Sequence, residues 1–456
     1  MPRTTSSGLS RRLRAVISAA ACVLLCAHAA LGLSKASVPK AVACNSSDPT
    51  FDDASDVQGV IYYKAAIQQL LVEQKFTQLD CIADAARSSK SRFAGDRWKL
   101  NVLYWAISAP QGHATEEDWT THLGSLKRWV SAKPESITAR VALADAYTAY
   151  AWDARGKETS DTVTQNGWKL FGERIQKAKE TLVQASKLKN KCQHWYSVMQ
   201  TVALAEGWDL ARATRLFDEA VAFEPEYYYY YRNHANYLKP QWYGEEGDAE
   251  KFAEQAADRA GGRKGDILYF QIANELICRC SSDSALKLMS WPRIQKGADE
   301  LEKQNGPSLT NLNFLAYVAI KESDSVVARR MFSRIGEDWD KDTWRTRAYF
   351  DSSRTWATAR AAYEQDPGHL VIMEAREKFA PVIQQCAQTG GDMTKFGLML
   401  RLQKDGLVDS VSLQPETKVG LCLMKLKGET VSPPPTSPFL FWIAVDPAEL
   451  IRASAK

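Results

Sequence analysis

Residues 207–248 read GWDLARATRLFDEAVAFEPEYYYYYRNHANYLKPQWYGEEGD, and their spacing decides the fold class. Ala213 and Ala220 are small residues seven apart, Phe217 lies between them, and Pro225 follows Ala220 by five positions. Two small side chains at that interval let a partner helix approach closely, a ring fills the gap, and a proline stops the helix. One such hairpin cannot bury its own apolar face. The stretch therefore predicts neighbours on both sides, a stack of helical hairpins.

The pattern extends in both directions. Upstream, Val60, Ile61, Ala65, Ile67, Leu70 and Leu71 recur at helical period, followed by Phe76, Leu79, Ile82 and Ala86. Trp98 to Ile107 and Trp119 to Val130 read as further helices, closed by Pro110 and Pro134. Leu143, Ala144 and Tyr147 open another hairpin whose second helix carries Ala178, Leu182 and Ala185, with an expected insertion from about Asp153 to Gly167. Insertions in stacked repeats collect on one face, often the binding face. Downstream, Tyr231 and Ala235, then Ala249, Phe252 and Ala256, then Ile267 to Cys278, and last Leu315, Ala316, Ala328 and Phe332 continue the period. Helix signals weaken from Trp339 to Ala380, although Tyr349 to Tyr363 remains helical.

Near Pro381 the period changes. Phe396 to Leu402 reads as a strand, Lys404-Asp405-Gly406 as a tight turn, Val408 to Leu413 as the return strand, Glu416 to Lys427 as a helix, and Phe439 to Val445 as a last strand. The expected organisation is a signal peptide at 1–29, a linker or disordered arm at 30–55, a mainly α body at 56–375, and a small α+β domain at 381–450.

Several of these motifs carry resemblances. Ala142-Leu143-Ala144-Asp145-Ala146-Tyr147, Trp152-Asp153-Ala154-Arg155-Gly156 and Lys239-Pro240-Gln241-Trp242-Tyr243-Gly244 make the body similar to an uncharacterised group of bacterial tetratricopeptide-like proteins. That resemblance implies an α-solenoid and no particular activity. Lys404-Asp405-Gly406-Leu407-Val408, Pro415-Glu416-Thr417 and Pro433-Pro434-Pro435 make the tail resemble the C-terminal domain of TonB-like energy transducers, which implies a periplasmic protein-contact module. Transducers keep an uncleaved membrane helix at the N-terminus, and this chain departs from that pattern.

Its N-terminus reads as an export signal: Arg11, Arg12 and Arg14 precede the apolar run Ala15 to Ala27, and Ala27-His28-Ala29 offers a cleavage site. The run is short for a spanning helix. Export implies an oxidising compartment for the seven cysteines beyond it, and the pairs expected are Cys44–Cys81 and Cys386–Cys422. Cys278-Arg279-Cys280 on a helix would point its thiols roughly 200° apart, which disfavours a redox or zinc pair. The 456 residues carry 58 basic against 54 acidic side chains, for a formal charge of +4. Mixed along the chain, these give no nucleic-acid footprint. Contact with a membrane is expected only through a partner or an uncleaved signal.

No catalytic motif is present: HExxH, GxSxG, a P-loop and a dinucleotide fingerprint are all missing, and Gly261 to Asp266 reads as a helix cap and turn. No cofactor or metal is called for. The candidate partner-binding residues are aromatic or lie beside rings: Trp152, Arg155, Tyr231, His234, Trp242 and Tyr243. Tyr227 to Tyr231 place five phenols in one and a half turns, more than one face can bury. The leading expectation is an exported, non-enzymatic scaffold holding a protein or peptide in its groove, with the tail docking a second partner at the cell envelope. Two rivals stand beside it. One is a small-molecule binder or hydrolase with a pocket where Trp152, Arg155, His234 and Trp242 converge; the other is an accessory component of a TonB-type transport system.

Overall fold

The computed structural model describes residues 56–112, 114–156, 160–277, 284–390 and 394–454. The expected signal peptide and arm, Cys44, and the Cys278–Cys280 pair lie outside them. The chain divides into two units, the first ending at Asp351 and the second starting at Ser352. Among the described residues no helix is long and apolar enough to cross a membrane.

The first unit is almost entirely helical. Helices α1 (Gln58–Val72) and α2 (Phe76–Ser89) lead into an antiparallel ribbon, β1 (Arg92–Phe93) and β2 (Arg97–Trp98). Then come α3 (Lys99–Ile107), α4 (Glu116–Ala132), α5 (Ile137–Arg155), α6 (Gln165–Ser186), α7 (Gln193–Glu206), α8 (Leu210–Phe223), α9 (Tyr229–Tyr237), α10 (Asp248–Ala260) and α11 (Gly262–Leu276). They are followed by α12 (Ser284–Leu288), α13 (Trp291–Asn305), α14 (Leu309–Lys321), α15 (Ser325–Ile335), α16 (Lys341–Trp344) and α17 (Arg347–Glu364), which carries the chain into the second unit.

Local chemistry sets these boundaries. Thr115 and Asp118 form a capping box at the start of α4, and the side chains of Ser136, Thr164, Asp209 and Asp324 each accept a backbone N–H at the start of α5, α6, α8 and α15. In α8 the residues whose spacing suggested a helical hairpin, Ala213, Phe217 and Ala220, are the ones buried, together with Leu216. Helices α3, α5, α7, α9 and α11 each pack on the next of that series, while α6 packs on α7, α8 on α9, and α10 on α11.

Two features of this unit differ from the sequence expectation. The expected insertion at 153–167 is shortened at both ends, because α5 runs to Arg155 and α6 starts at Gln165, making this the longest pair of the first unit. The ribbon at 92–98 has too few residues to show an alternating pattern, and it reaches far along the chain. Asp96 at its tip accepts hydrogen bonds from Arg92 (2.6 Å), Asn305 (2.8 Å) and Gln271. Nearby, Asp56 accepts from the backbone N–H of Leu309 (3.2 Å) and Thr310 (3.0 Å) at the start of α14.

In the second unit, α18 (Pro367–Gly390) is followed by β3 (Phe396–Leu402), β4 (Val408–Gln414), α19 (Lys418–Leu423), β5 (Phe439–Val445) and α20 (Pro447–Ser454). The sheet order is β4-β3-β5, antiparallel throughout, with Leu400 opposite both Val411 and Phe441. Leu398, Leu400, Phe441 and Ile443 face a core completed by Val371, Phe379 and Ile383 of α18. That is why this unit starts upstream of the period change: α18 supplies one wall, and Pro381 lies inside the helix instead of ending it. The expected bridge Cys386–Cys422 is formed, with a Cα–Cα distance of 5.6 Å, and Cys81 is also disulfide-bonded.

Candidate functional site

Helix α9 is short because Pro225 precedes it and Pro240 follows it, and it concentrates the tyrosine run at the centre of the first unit. Tyr227 is fully buried, edge-on to Trp98 at 4.9 Å, with its hydroxyl 3.2 Å from His194 Nδ1. Tyr230 donates to the carbonyl of Gln193 at 2.9 Å. Tyr228 donates to the Tyr229 hydroxyl at 3.0 Å, and those two rings stack at 4.2 Å. Burial lifts the hydroxyls of Tyr228 and Tyr229 above the usual phenol range, so both stay neutral donors. The five phenols are thus shared between the turn that leads into α9 and the first turn of the helix.

The six side chains singled out from sequence fall into two aromatic chains. Tyr231 and His234 share Phe217, edge-on to the first at 5.2 Å and stacked on the second at 4.6 Å; Phe252 closes on His234 at 4.9 Å. Tyr237 links His234 to Tyr243, whose hydroxyl donates to the carbonyl of Leu204 at 3.0 Å. The other chain joins Trp242 edge-on to Trp152 at 5.9 Å, and Trp152 to Phe171 at 4.9 Å; Arg155 lies beside Trp168 at 5.9 Å and donates to the carbonyl of Gly156. Trp152 and Trp242 therefore meet, whereas His234 stands among different rings.

These groups are largely interior. Trp242 is 6% exposed, His234 5% and Arg155 4%, while Tyr243 is half-buried. The loop that carries Trp242 is pinned by Gly244, where a Cβ would lie 1.9 Å from the carbonyl oxygen of Leu238. Burial among apolar rings pushes the His234 imidazole down to about 4, and no acidic or basic partner takes part in that shift. Clefts open elsewhere on this unit. One of about 310 Å³ is lined by residues including Asp80, Ser136 and Asn190, and one of about 100 Å³ by residues including Cys192 and Tyr196; none of the six lines either.

The other side of α9 is polar. Arg232 makes a forked ion pair with Glu275 of α11, at 2.6 and 3.0 Å, and Lys239 Nζ lies 3.4 Å from the Glu275 carbonyl oxygen. Burial opposes both charges, yet the pairing outweighs it: Arg232 is held above its ordinary value and Glu275 below. The two side chains nevertheless keep 27% and 20% exposure. The charges of Arg97 on β2 and of Arg232 both act on Tyr228 and Tyr229, and that of Arg97 also acts on Lys64 of α1. Local pattern could not reveal this grouping, because its members come from four elements up to 211 positions apart (275 − 64).

A second cluster lies against Tyr227. His194 is bonded at both ring nitrogens, to Tyr227 and to Asp145 Oδ2 at 3.0 Å, and stacks on Tyr104, whose hydroxyl is 3.3 Å from the buried thiol of Cys192. With both nitrogens engaged, His194 has no free position from which to act as base toward Cys192. No group of three His, Cys, Asp or Glu side chains among the described residues is arranged to hold a metal ion. Comparison with known protein families, with curated proteins and with solved structures finds no match for the chain.

Proposed function

We propose that the protein is an exported, non-enzymatic scaffold of the bacterial cell envelope, in which a tetratricopeptide-like solenoid holds a protein or peptide partner. The observation that carries this reading is the succession α3, α5, α7, α9, α11, each helix packed on the next, with α6, α8 and α10 interleaved. Such a succession gives one row of helices a shared face, as stacked hairpins require. The Arg232–Glu275 ion pair joins two members of that row, α9 and α11. The Cys386–Cys422 bridge supports an oxidising destination, and the strand, hairpin, helix, strand order of the second unit supports a TonB-like contact module. His234 and Trp152 stand among different rings, which favours the scaffold over the hydrolase reading.

Affinity capture from envelope extract tests the scaffold, using the tagged mature chain beside an Arg232→Glu, Glu275→Arg exchange that keeps the pair and reverses its polarity. A discrete partner retained by the wild type and lost by the exchange is expected. Wild-type capture no different from an untagged control would overturn the reading. N-terminal sequencing of the secreted chain is expected to begin near Ala30.

A further inference from the structure

Ile137, the first residue of α5, walls two clefts at once. The larger, of about 310 Å³, lies where α2 meets the start of α5, and Asp80, Asp84, Lys133 and Glu135 bring charge to its lining. The smaller, of about 100 Å³, is lined by residues including Ala185, Cys192, Trp195 and Tyr196. One stretch of backbone passes from the first to the second, with Asn190 on the larger and Lys191 on the smaller. The clefts are therefore neighbours, and they border α5 and α7, two consecutive members of the row of packed helices.

Their chemistry differs. In the larger cleft Asp84 is paired with Arg87, which also donates to the Thr138 hydroxyl at 3.0 Å. Asp80 accepts from the Ser136 hydroxyl, and neither Asp80 nor Glu135 comes within ion-pair distance of a cation among the described residues. These two carboxylates against the ammonium of Lys133 leave the lining net negative. Burial raises the Asp80 carboxyl, and the charge of Asp84 adds to this, so a cation arriving there gains more than it would beside a fully solvated acid. In the smaller cleft the ammonium of Lys191 is occupied by the carbonyls of Ser186 at 2.6 Å and Leu188 at 3.1 Å, which leaves aliphatic and aromatic surface on offer. The rings are held in place. The Trp195 indole donates to the Leu182 carbonyl at 2.9 Å, and Tyr196 stands edge-on to Trp195 at 4.9 Å and tilted against the exposed Phe223 at 5.5 Å.

We propose that the two clefts together seat an extended segment of the partner protein, with a lysine or arginine side chain in the larger cleft and an apolar side chain two positions away in the smaller. The proposal rests on the scaffold reading and gives the partner a chemistry. Alternate side chains of an extended chain point to one side, roughly 7 Å apart, which suits neighbouring clefts that share one side chain as a wall. Opposite charge selects the occupant of the first cleft, and burial of apolar surface against the Trp195 and Tyr196 rings adds affinity in the second.

Calorimetric titration of the purified full chain at constant ionic strength tests it, with acetyl-Leu-Ala-Lys-Ala-Leu-amide as the probe. Saturable binding is expected. Replacing the peptide's lysine by glutamate, or both its leucines by serine, should weaken binding at least tenfold. On the protein, Asp80→Asn keeps an acceptor for Ser136 and should also weaken binding at least tenfold. Glu135→Gln, on the exposed rim, should weaken it about threefold, and Glu117→Gln, an exposed carboxylate outside both clefts, should bind as the wild type does. If Asp80→Asn fails to fold, Glu135→Gln decides. No saturation by the lysine peptide, equal affinity for the glutamate peptide, or wild-type affinity in Asp80→Asn would overturn the proposal. A partner retained from envelope extract without peptide binding here would keep the scaffold and discard these clefts, so the two failures are distinguishable.

Discussion

His234 shows how a residue that looks functional can be set by packing. Its ring lies between Phe217 and Phe252, and the imidazole is held down to about 4 from an ordinary 6.5 by burial alone. The unfolded chain therefore takes up a proton at this position before the folded one does. Folded-state stability is unaffected by this group above pH 6.5, falls as pH drops from 6.5 to 4, and stays lowered below that. The full loss is about 3 kcal/mol, at about 1.4 kcal/mol for each pH unit of the window. His234→Phe places an apolar ring in the same slot and should flatten that part of the profile. Urea unfolding of both proteins between pH 4 and 7 checks it. An equal slope in the variant would assign the effect to another group.

Backbone contact governs the packing of neighbouring helices. Gly297 of α13 approaches α11 so closely that a Cβ would stand 2.1 Å from the Asp266 carbonyl oxygen and 2.7 Å from Phe270 Cβ. Gly297→Ala must push the two helices apart and should cost about 1–3 kcal/mol, as overpacking does. Gly172, exposed on α6, has nothing within 4 Å of that position, so Gly172→Ala should gain about 0.5–1 kcal/mol from propensity and chain entropy. Denaturant midpoints moving in the same direction for the two variants would refute this account of the crossing. The same scale shows what the sequence could and could not disclose. Ala213, Phe217 and Ala220 betray α8 because helical burial is periodic, and Phe396 to Leu402 betrays β3 because its buried positions alternate. The ribbon at 92–98 is too short for any period. Trp152, Trp242 and Tyr231 look alike in a groove or a core, since an amphipathic ring serves either. Arg232 and Glu275 pair only after folding, and nothing local marks them. Pro381 stands where the sequence period was read to change, yet α18 continues through it, with Phe379 and Ile383 packed in the core.

At the scale of the whole chain, the second unit is small, and its core leans on one helix laid against three strands. Cys386 sits in that core on α18, and Cys422 joins it from α19, closing a loop of 36 positions that contains the β3–β4 hairpin. Cross-linking a loop of that length removes unfolded-state entropy worth about 3–4 kcal/mol. A domain of this size has little apolar burial in reserve, so the bridge supplies a large part of its margin. Cys386→Ala with Cys422→Ala should therefore raise amide exchange throughout residues 396–445, measured by mass spectrometry under native conditions. The disulfide at Cys81 is untouched by this change, so peptides from α5 to α11 serve as the internal reference and should exchange at their wild-type rates. Unchanged protection in the β3, β4 and β5 peptides would mean that side-chain packing alone secures the sheet, and the chain-entropy argument for the bridge would fail.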